Sequence, residues 1–126
     1  MERNPSIKLV GDGRVNPDGE ERIYVTATGN AVAQAPKGTF DDEITLALNQ
    51  IGSFLEASAM TLHDVVACTC YISDSEDGEA VDTVFRRLFQ PHFPARTVLK
   101  VRTLKGSRVS IDAVAYKRRP VHQGNL

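Results

Sequence analysis

The chain has 126 residues, of which 41% are hydrophobic and 25% are charged, and its formal net charge at pH 7 is −1. This length and composition predict one globular domain, residues 1–126, with a single hydrophobic core. So small a net charge argues against nucleic acid or an anionic membrane as the main partner, because neither polyanion is attracted. Since no apolar run is long enough for a membrane helix and the first residues lack a secretory signal, we expect a cytoplasmic protein.

The first part of the chain predicts two strands followed by a helix. Residues 6–10 include several strand-forming side chains, and residues 22–28 are rich in β-branched and aromatic ones. Clusters with turn chemistry lie between them. Apolar residues then recur at helical spacing over residues 41–58, with Thr39 or Asp41 as the cap. The apolar stripe covers one side only, which predicts a helix lying on a sheet.

The second part of the chain predicts a strand, a helix and two further strands. Residues 65–72 are a near-continuous apolar run, typical of a central strand covered on both faces. Residues 73–75 can cap a helix over residues 76–89. Two strands follow, over residues 96–103 and residues 108–116, joined by a turn.

The predicted order is therefore β-β-α-β-α-β-β, an α+β domain in which residues 1–21 hold a strand and turns and residues 119–126 form a polar tail. Two helices on one face of the sheet leave its other face uncovered, although the strands carry apolar residues on both faces. A buried subunit interface would cover that face, so we predict a homo-oligomer. Alternation in the last strand assigns Val109, Ile111, Ala113 and Ala115 to one face, and Arg108, Ser110, Asp112 and Val114 to the other.

The two cysteines, Cys68 and Cys70, are one residue apart in a predicted strand. Their side chains would point to the same face, and a disulfide across so short an extended loop would be strained. We expect reduced, packed thiols. The three histidines show no ligand-like spacing to this pair, so no metal site is predicted.

Arg96 is the residue whose type and position most clearly indicate a ligand-binding role. Pro94 forces the preceding residues towards extended geometry, so a helix must end before it and Arg96 opens the next strand. A planar guanidinium at a strand end can hold a carboxylate or phosphate through two parallel hydrogen bonds. The residues alone leave a second interpretation open, a solvated arginine at the end of a connection.

Six segments, taken in order, resemble the RidA (YjgF/YER057c/UK114) family, also described as L-PSP endoribonuclease-like. Each segment is degenerate alone, but their order and spacing over residues 22–118 are specific. The segments are Tyr24–Gly29, Leu48–Ile51, Asp64–Asp74, Val84–Phe89, Phe93–Val98 and Val109–Ala115.

The resemblance implies an α+β chorismate-mutase-like sandwich, assembled as a homotrimer with the sheets at the centre and the helices outside. Ligand sites are then expected in clefts between subunits. It also implies hydrolysis of reactive enamine or imine acids, such as 2-iminobutanoate and 2-iminopropanoate, to 2-oxo acids and ammonia, without a metal or organic cofactor.

The resemblance implies a role for Arg96, Gly29 and Val98. Arg96 is expected to grip the substrate carboxylate, and backbone around Gly29 and Val98 to line the pocket. Phe85 and Asp112 complete the candidate substrate-binding residues. The physical basis is that a bidentate cation orients the acid while backbone N–H groups share its charge.

Two departures from the family pattern bear on catalysis. A Gly-Pro-Tyr-Ser-type segment near the N-terminus has no equivalent in this sequence, and the family glutamate of the last strand corresponds to Ser110. A serine hydroxyl stays protonated at neutral pH, so Ser110 is a candidate catalytic residue that can orient a water but cannot act as a carboxylate base. Asp112 either substitutes for the glutamate or is a structural partner of Arg102 or Arg108.

Three functions follow from these observations. The first is an enamine/imine deaminase with Arg96 at its centre. The second is a non-catalytic small-carboxylate-binding protein, a sensor or chaperone-like member using the same pocket. The third, an endoribonuclease, is implied only by the family's older label, and the net charge near zero argues against it.

Overall fold

Five strands and two helices follow one another within the residues that the computed structural model describes, which are 7–10, 20–28, 39–74, 76, 78–102 and 107–118. Their order is the predicted β-β-α-β-α-β-β. A short 3-10 turn over Leu62–Asp64 precedes the third strand. The elements are β1 (Ile7–Val10), β2 (Glu20–Thr28), α1 (Phe40–Glu56), β3 (Val65–Ser73), α2 (Glu79–Phe89), β4 (Ala95–Val101) and β5 (Val109–Arg118).

The strands form one mixed sheet in the order β1-β2-β5-β3-β4. β5 pairs antiparallel with both β2 and β3, and β1 pairs antiparallel with β2. β3 and β4 are parallel, with α2 as the crossover that a parallel pair requires. The predicted α+β class is confirmed, and β4 is an edge strand.

α1 begins where the sequence predicts a cap. The Thr39 hydroxyl accepts a hydrogen bond from the Asp42 backbone N–H (3.1 Å), and the Asp42 carboxylate accepts one from the Thr39 backbone N–H (3.1 Å). This capping box satisfies two backbone donors that a helix start leaves free, and the acidic first turn suits the positive end of the helix dipole. Thr39, rather than Asp41, is therefore the cap.

α2 begins at Glu79, three residues later than predicted. The expected cap from residues 73–75 is wrong because Ser73 still belongs to β3 and Asp74 to the turn after it. The backbone N–H of Glu76 donates to the Ser73 carbonyl (2.9 Å), which makes this stretch a turn. The helix cap is Gly78, which has no side chain to supply a capping oxygen.

The hydrophobic core lies between the two helices and one face of the sheet. In β5 the predicted alternation is confirmed from Val109 onwards, since its core-facing side chains are all buried: Val109, Ile111, Ala113 and Ala115. The placement of Arg108 on the opposite face is wrong, because Arg108 precedes the strand and its guanidinium pairs with Glu43 of α1. The same face of β3 buries Cys68, Cys70 and Ile72. Leu48 and Phe85 are among the fully buried side chains that the helices contribute.

The opposite face of the sheet, which we call the open face, is not covered by any other element of the described residues. On β3 its side chains Thr69 and Tyr71 are half-buried, so within the described residues only the helix-facing side of this strand is fully buried. Leu99 of β4 also lies there by register, opposite Tyr71, and is 45% exposed.

None of the helices in the described part of the chain is long and apolar enough to span a membrane.

Two leucines of α1 provide a test of where the core lies. Leu48 is fully buried between the helices and the sheet, whereas Leu46 is half-buried. We expect Leu48→Ala to lower the free energy of unfolding by about 2–5 kcal/mol, because it removes buried methyl groups and leaves a cavity. Leu46→Ala, the matched control, is expected to cost less than about 1 kcal/mol. Urea denaturation of both variants measures the difference, and equal losses would contradict this placement of the core.

Candidate functional site

Arg96 lies on the helix-facing side of the edge strand β4. Its register partner on β3 is the buried Cys68, and paired residues of a sheet point to the same face. The guanidinium forms an ion pair with the Asp82 carboxylate through Nη2. It also stands over the ring of Phe85, with Cζ 5.4 Å from the ring centroid, a cation–π distance. The Arg96 side chain remains 30% exposed.

α2 supplies both contacts to Arg96. Asp82 and Phe85 are three residues apart on this helix, so their side chains lie on one side of it, which faces β4. Phe85 is fully buried and packs against Phe89 with ring centroids 4.9 Å apart. The guanidinium therefore rests on a ring that the core holds in place.

The ion pair between Arg96 and Asp82 contributes less to stability than the buried packing of Phe85. The side chains of Arg96 and Asp82 are 30% and 43% exposed, and pairs this open to solvent contribute about 0–1 kcal/mol. Arg96 is therefore oriented while its donors stay accessible, as a ligand-binding arginine requires.

Val98 follows Arg96 on the same face. Its register partner is Cys70, and it is half-buried against the hydrophobic core. Val98 thus lies beside Arg96 on the helix-facing side of β4. Gly29, the other expected pocket residue, lies outside the described residues.

Ser110 and Asp112 lie on the other side of the sheet. Along β5 they alternate with the buried core residues, so both belong to the open face. Ser110 is paired with Tyr71 of β3, and Asp112 with Thr69 of β3 and Thr26 of β2. One chain therefore brings Arg96, Val98 and Phe85 together, and separates them by the thickness of the sheet from the two β5 residues.

Asp112 has a partner that the sequence did not suggest. The Thr26 hydroxyl donates a hydrogen bond to the Asp112 carboxylate (2.7 Å). Arg108 instead forms ion pairs with Glu43 and Glu76, with 4.0 Å between Arg108 Nη1 and Glu76 Oε2. The structure therefore gives Asp112 a structural partner in Thr26, which neither interpretation named. Finding that pair from sequence would have required the β2–β5 register.

The described residues line cavities on both sides of the sheet. One, of about 240 Å³, is on the open face and is lined by residues of β2 and β5 that include Tyr24, Thr26, Asp112 and Val114. The other, of about 370 Å³, lies between α1, the 3-10 turn and α2, with His63 and Leu88 in its wall. Only the first contains a candidate site residue, Asp112.

Cys68 and Cys70 of β3 lie next to Arg96 and Val98, their register partners on β4, on the helix-facing side of the sheet. Both are free and buried, which confirms the prediction of packed thiols. Burial raises the pKa of Cys70 to about 12. Burial raises the pKa of Cys68 further, with a smaller contribution from the neighbouring Cys70, although the Arg96 charge opposes both shifts. These thiols are therefore held neutral, and the described part of the chain contains no group of three or more His, Cys, Asp or Glu side chains placed to hold a metal ion.

Comparison with known proteins identifies the family. The family model described as Endoribonuclease L-PSP matches residues 22–117. The chain belongs to this family. Curated relatives within it include the 2-iminobutanoate/2-iminopropanoate deaminases of Capra hircus and Homo sapiens, which are 38% and 35% identical over 86 and 83 residues. The matches cover 68% and 65% of this chain, and 63% and 61% of the relatives, so the chain spans less than two thirds of their length.

Solved structures of the L-PSP family share the fold. RidA from an Antarctic Psychrobacter species superimposes with a TM-score of 0.70 at 23% identity, covering 86% of this chain and 85% of that one. The YjgF gene product of E. coli gives a TM-score of 0.64 at 22% identity, covering 75% and 81%. The resemblance to RidA proteins and the chorismate-mutase-like sandwich are thereby confirmed.

The buried thiols of this L-PSP family member predict how its stability depends on pH. Because the thiol pKa is raised in the folded state, the contribution is fully present below the ordinary thiol value of 9.0 and is lost as pH rises towards the folded value. Between pH 9.0 and the folded value, the free energy of unfolding should fall by up to about 1.4 kcal/mol per pH unit for each thiol. Denaturant unfolding between about pH 8 and about pH 10.5 measures the slope.

The control for this slope is the double variant Cys68→Ala/Cys70→Ala. It retains every other titrating group, so the difference between the two pH profiles isolates the thiols. Parallel profiles for the variant and the natural sequence would show that the thiols ionise equally easily in the folded and unfolded chains.

Proposed function

We propose that this protein is an enamine/imine deaminase of the RidA type, which hydrolyses small 2-imino acids to 2-oxo acids and ammonia. The observation that carries the proposal is the Arg96 guanidinium, fixed over the buried Phe85 ring and still open to solvent. The identity of 35–38% to proteins named 2-iminobutanoate/2-iminopropanoate deaminase supports the same substrate class.

The geometry suits a small carboxylate for a physical reason. A guanidinium presents its N–H donors in a planar fork that matches the two oxygens of a carboxylate. The contact with the buried Phe85 ring limits where the guanidinium can lie, which helps to orient a bound 2-imino acid. Backbone groups near Val98 and Gly29 belong to the proposed pocket.

The proposed reaction is the addition of water to the imine carbon followed by loss of ammonia. The oxygen of water becomes the carbonyl oxygen of the 2-oxo acid, and the imine nitrogen leaves with the protons that water and solvent supply. The chain's own contribution is to orient the carboxylate and the water. Ser110 can hold that water as a hydrogen-bond partner, and Asp112 keeps a carboxylate beside it on the same strand face.

A homotrimer is part of the proposal because one chain separates these groups. Arg96 lies on the helix-facing side of β4, and Ser110 lies on the open face. A cleft between two copies, in which the open face of one chain meets the β4 edge of another, would bring the two together. The half-buried Tyr24, Tyr71 and Val114 and the exposed Leu99 support burial of the open face in such an assembly.

A second candidate function is a non-catalytic protein that binds small carboxylates, a sensor or a chaperone-like member. The observation that favours it is Ser110, which stands where the resemblance expects a glutamate, because a hydroxyl cannot accept the proton of an attacking water as a carboxylate can. A cytoplasmic location belongs to both proposals, since two buried reduced thiols suit a reducing compartment.

Ammonia release from 2-iminobutanoate generated in situ tests the leading proposal. We expect Arg96→Ala to lower kcat/KM at least about 100-fold, because the carboxylate loses its charged, bidentate partner. Arg87→Ala is the matched control, since Arg87 is an exposed arginine of α2 that hydrogen-bonds Thr45. Turnover that survives in Arg96→Ala would overturn the site.

Ser110→Glu separates the two candidate functions. If the protein is a deaminase that needs only an oriented water, this variant should change the rate modestly. If the natural sequence releases no ammonia and the Ser110→Glu variant does, the result would instead support the binding-protein proposal, with the fold of the site intact. The readout is the same ammonia assay, with 2-oxobutanoate binding measured in parallel by calorimetry.

The proposed assembly predicts the effect of a charge on the open face. Val114→Glu should shift the protein from trimer towards monomer in size-exclusion chromatography with light scattering, because it places a carboxylate where neighbouring chains are proposed to pack. Arg86→Glu changes an exposed residue of α2, on the other side of the sheet, and should leave the mass unchanged. A Val114→Glu protein with the unaltered oligomeric mass would contradict the open face as the interface.

A further inference from the structure

The candidate carboxylate-binding arginine carries an internal carboxylate beside it. Asp82 of α2 contacts Nη2 of Arg96, and both side chains are open enough for a ligand to reach, at 43% and 30% exposure. The Arg96 side of the site therefore presents a positive and a negative group next to each other.

The contact with Asp82 leaves room for a ligand on the same guanidinium. A guanidinium has five N–H donors on three nitrogens, and Asp82 is bound through Nη2. A carboxylate needs two of these donors for a bidentate grip. Phe85 lies 5.4 Å from Cζ by its ring centroid and has no acceptor oxygen, so it takes up none of these donors as a carboxylate would. A ligand carboxylate and Asp82 can thus be bound to Arg96 together.

The charge of Asp82 then determines which carboxylates bind well. A ligand whose only charge is its carboxylate is attracted by Arg96 and repelled by Asp82. A ligand that carries a protonated nitrogen on the carbon next to the carboxylate matches both groups. In 2-imino acids and 2-amino acids the nitrogen-bearing carbon is bonded directly to the carboxylate carbon, so the two charged groups are neighbours in the ligand as they are in the site.

We propose that Asp82 is a specificity-determining residue that selects acids with a positively charged nitrogen beside the carboxylate, namely protonated 2-imino acids and their 2-amino analogues. This rests on the proposed function, because it assumes that Arg96 binds the carboxylate. Arg96 fixes the acid, and Asp82 accepts a hydrogen bond from the nitrogen. A 2-oxo acid has a neutral carbonyl in that position, so Asp82 favours the substrate over the product and promotes product release.

Two ligands with one carbon skeleton provide the test. 2-Aminobutanoate carries an ammonium at pH 7 where 2-oxobutanoate carries a carbonyl, and calorimetry measures the Kd of each. We expect the natural sequence to bind 2-aminobutanoate more tightly. Asp82→Asn should weaken 2-aminobutanoate binding about tenfold, because a charge-assisted hydrogen bond is lost. It should strengthen 2-oxobutanoate binding by up to about fivefold, the size of one solvent-screened charge interaction.

Glu79→Gln is the matched control for this substitution. It removes one negative charge from the same first turn of α2 and leaves Asp82 in place. The ratio of the two Kd values should stay within about twofold of the natural sequence. Asp82→Ala should reproduce the change in ratio seen with Asp82→Asn, which shows that the charge, and not a packing defect, is responsible.

The outcomes separate this inference from the proposed function. If both ligands bind and depend on Arg96, but the ratio of Kd values is the same in Asp82→Asn, then Asp82 only holds Arg96 in place and the inference is overturned while the carboxylate site stands. If neither ligand binds the natural sequence, the proposed carboxylate site fails and the role of Asp82 falls with it. A ratio that inverts in both Asp82 variants, and not in Glu79→Gln, establishes the inference.

Discussion

The alternation of side chains along β5 is the constraint on which the rest of the structure depends. This strand lies in the middle of the sheet, between β2 and β3, and every second residue from Val109 to Ala115 is buried against the helices. Shifting the register by one residue would move this apolar set to the opposite face, so the core fixes the register strongly. The same register places Ser110 and Asp112 on the open face. The separation of these residues from Arg96 is therefore a consequence of core packing, and not a local feature of the site.

The interactions that hold Arg96 are unequal in strength. Its ion pair with Asp82 is exposed and contributes little to stability, whereas Phe85 beneath it belongs to a core whose large side chains are each worth several times more. The position of the guanidinium is therefore set by the packing of α2 on β4. A ligand can replace or share the Asp82 contact at small cost without disturbing the fold. An arginine bound on all sides by buried partners could not serve as a binding group in this way.

Much of the fold follows from local patterns, and much of the site does not. Local patterns of apolar and β-branched residues identified both helices, all five strands to within about two residues at each end and the buried face of β5, because these depend on residues a few positions apart. The start of α2 was misplaced, since Ser73 resembles a helix cap but is retained by β3 as its last residue. The pairs Arg96–Asp82 and Thr26–Asp112 join residues far apart in sequence, and only the packing of α2 and the register of β2 on β5 bring them together. The sequence thus indicated Arg96 by its type and position, but it did not indicate Asp82, whose carboxylate lies against the guanidinium.

Asp82 also bears on the absence of a glutamate at position 110. In an imine hydrolysis the carbon becomes more reactive when its nitrogen is protonated, and a carboxylate next to that nitrogen stabilises the protonated form. In a site that holds the protonated substrate beside Asp82, the group that orients water can be a weaker base, since the water attacks a stronger electrophile. Serine, which can orient water but not remove its proton, then becomes chemically sufficient. In the proposed cleft between two copies, Arg96, Asp82 and Ser110 would form a consistent set, in which the positive nitrogen that Asp82 is proposed to select compensates for the weaker base.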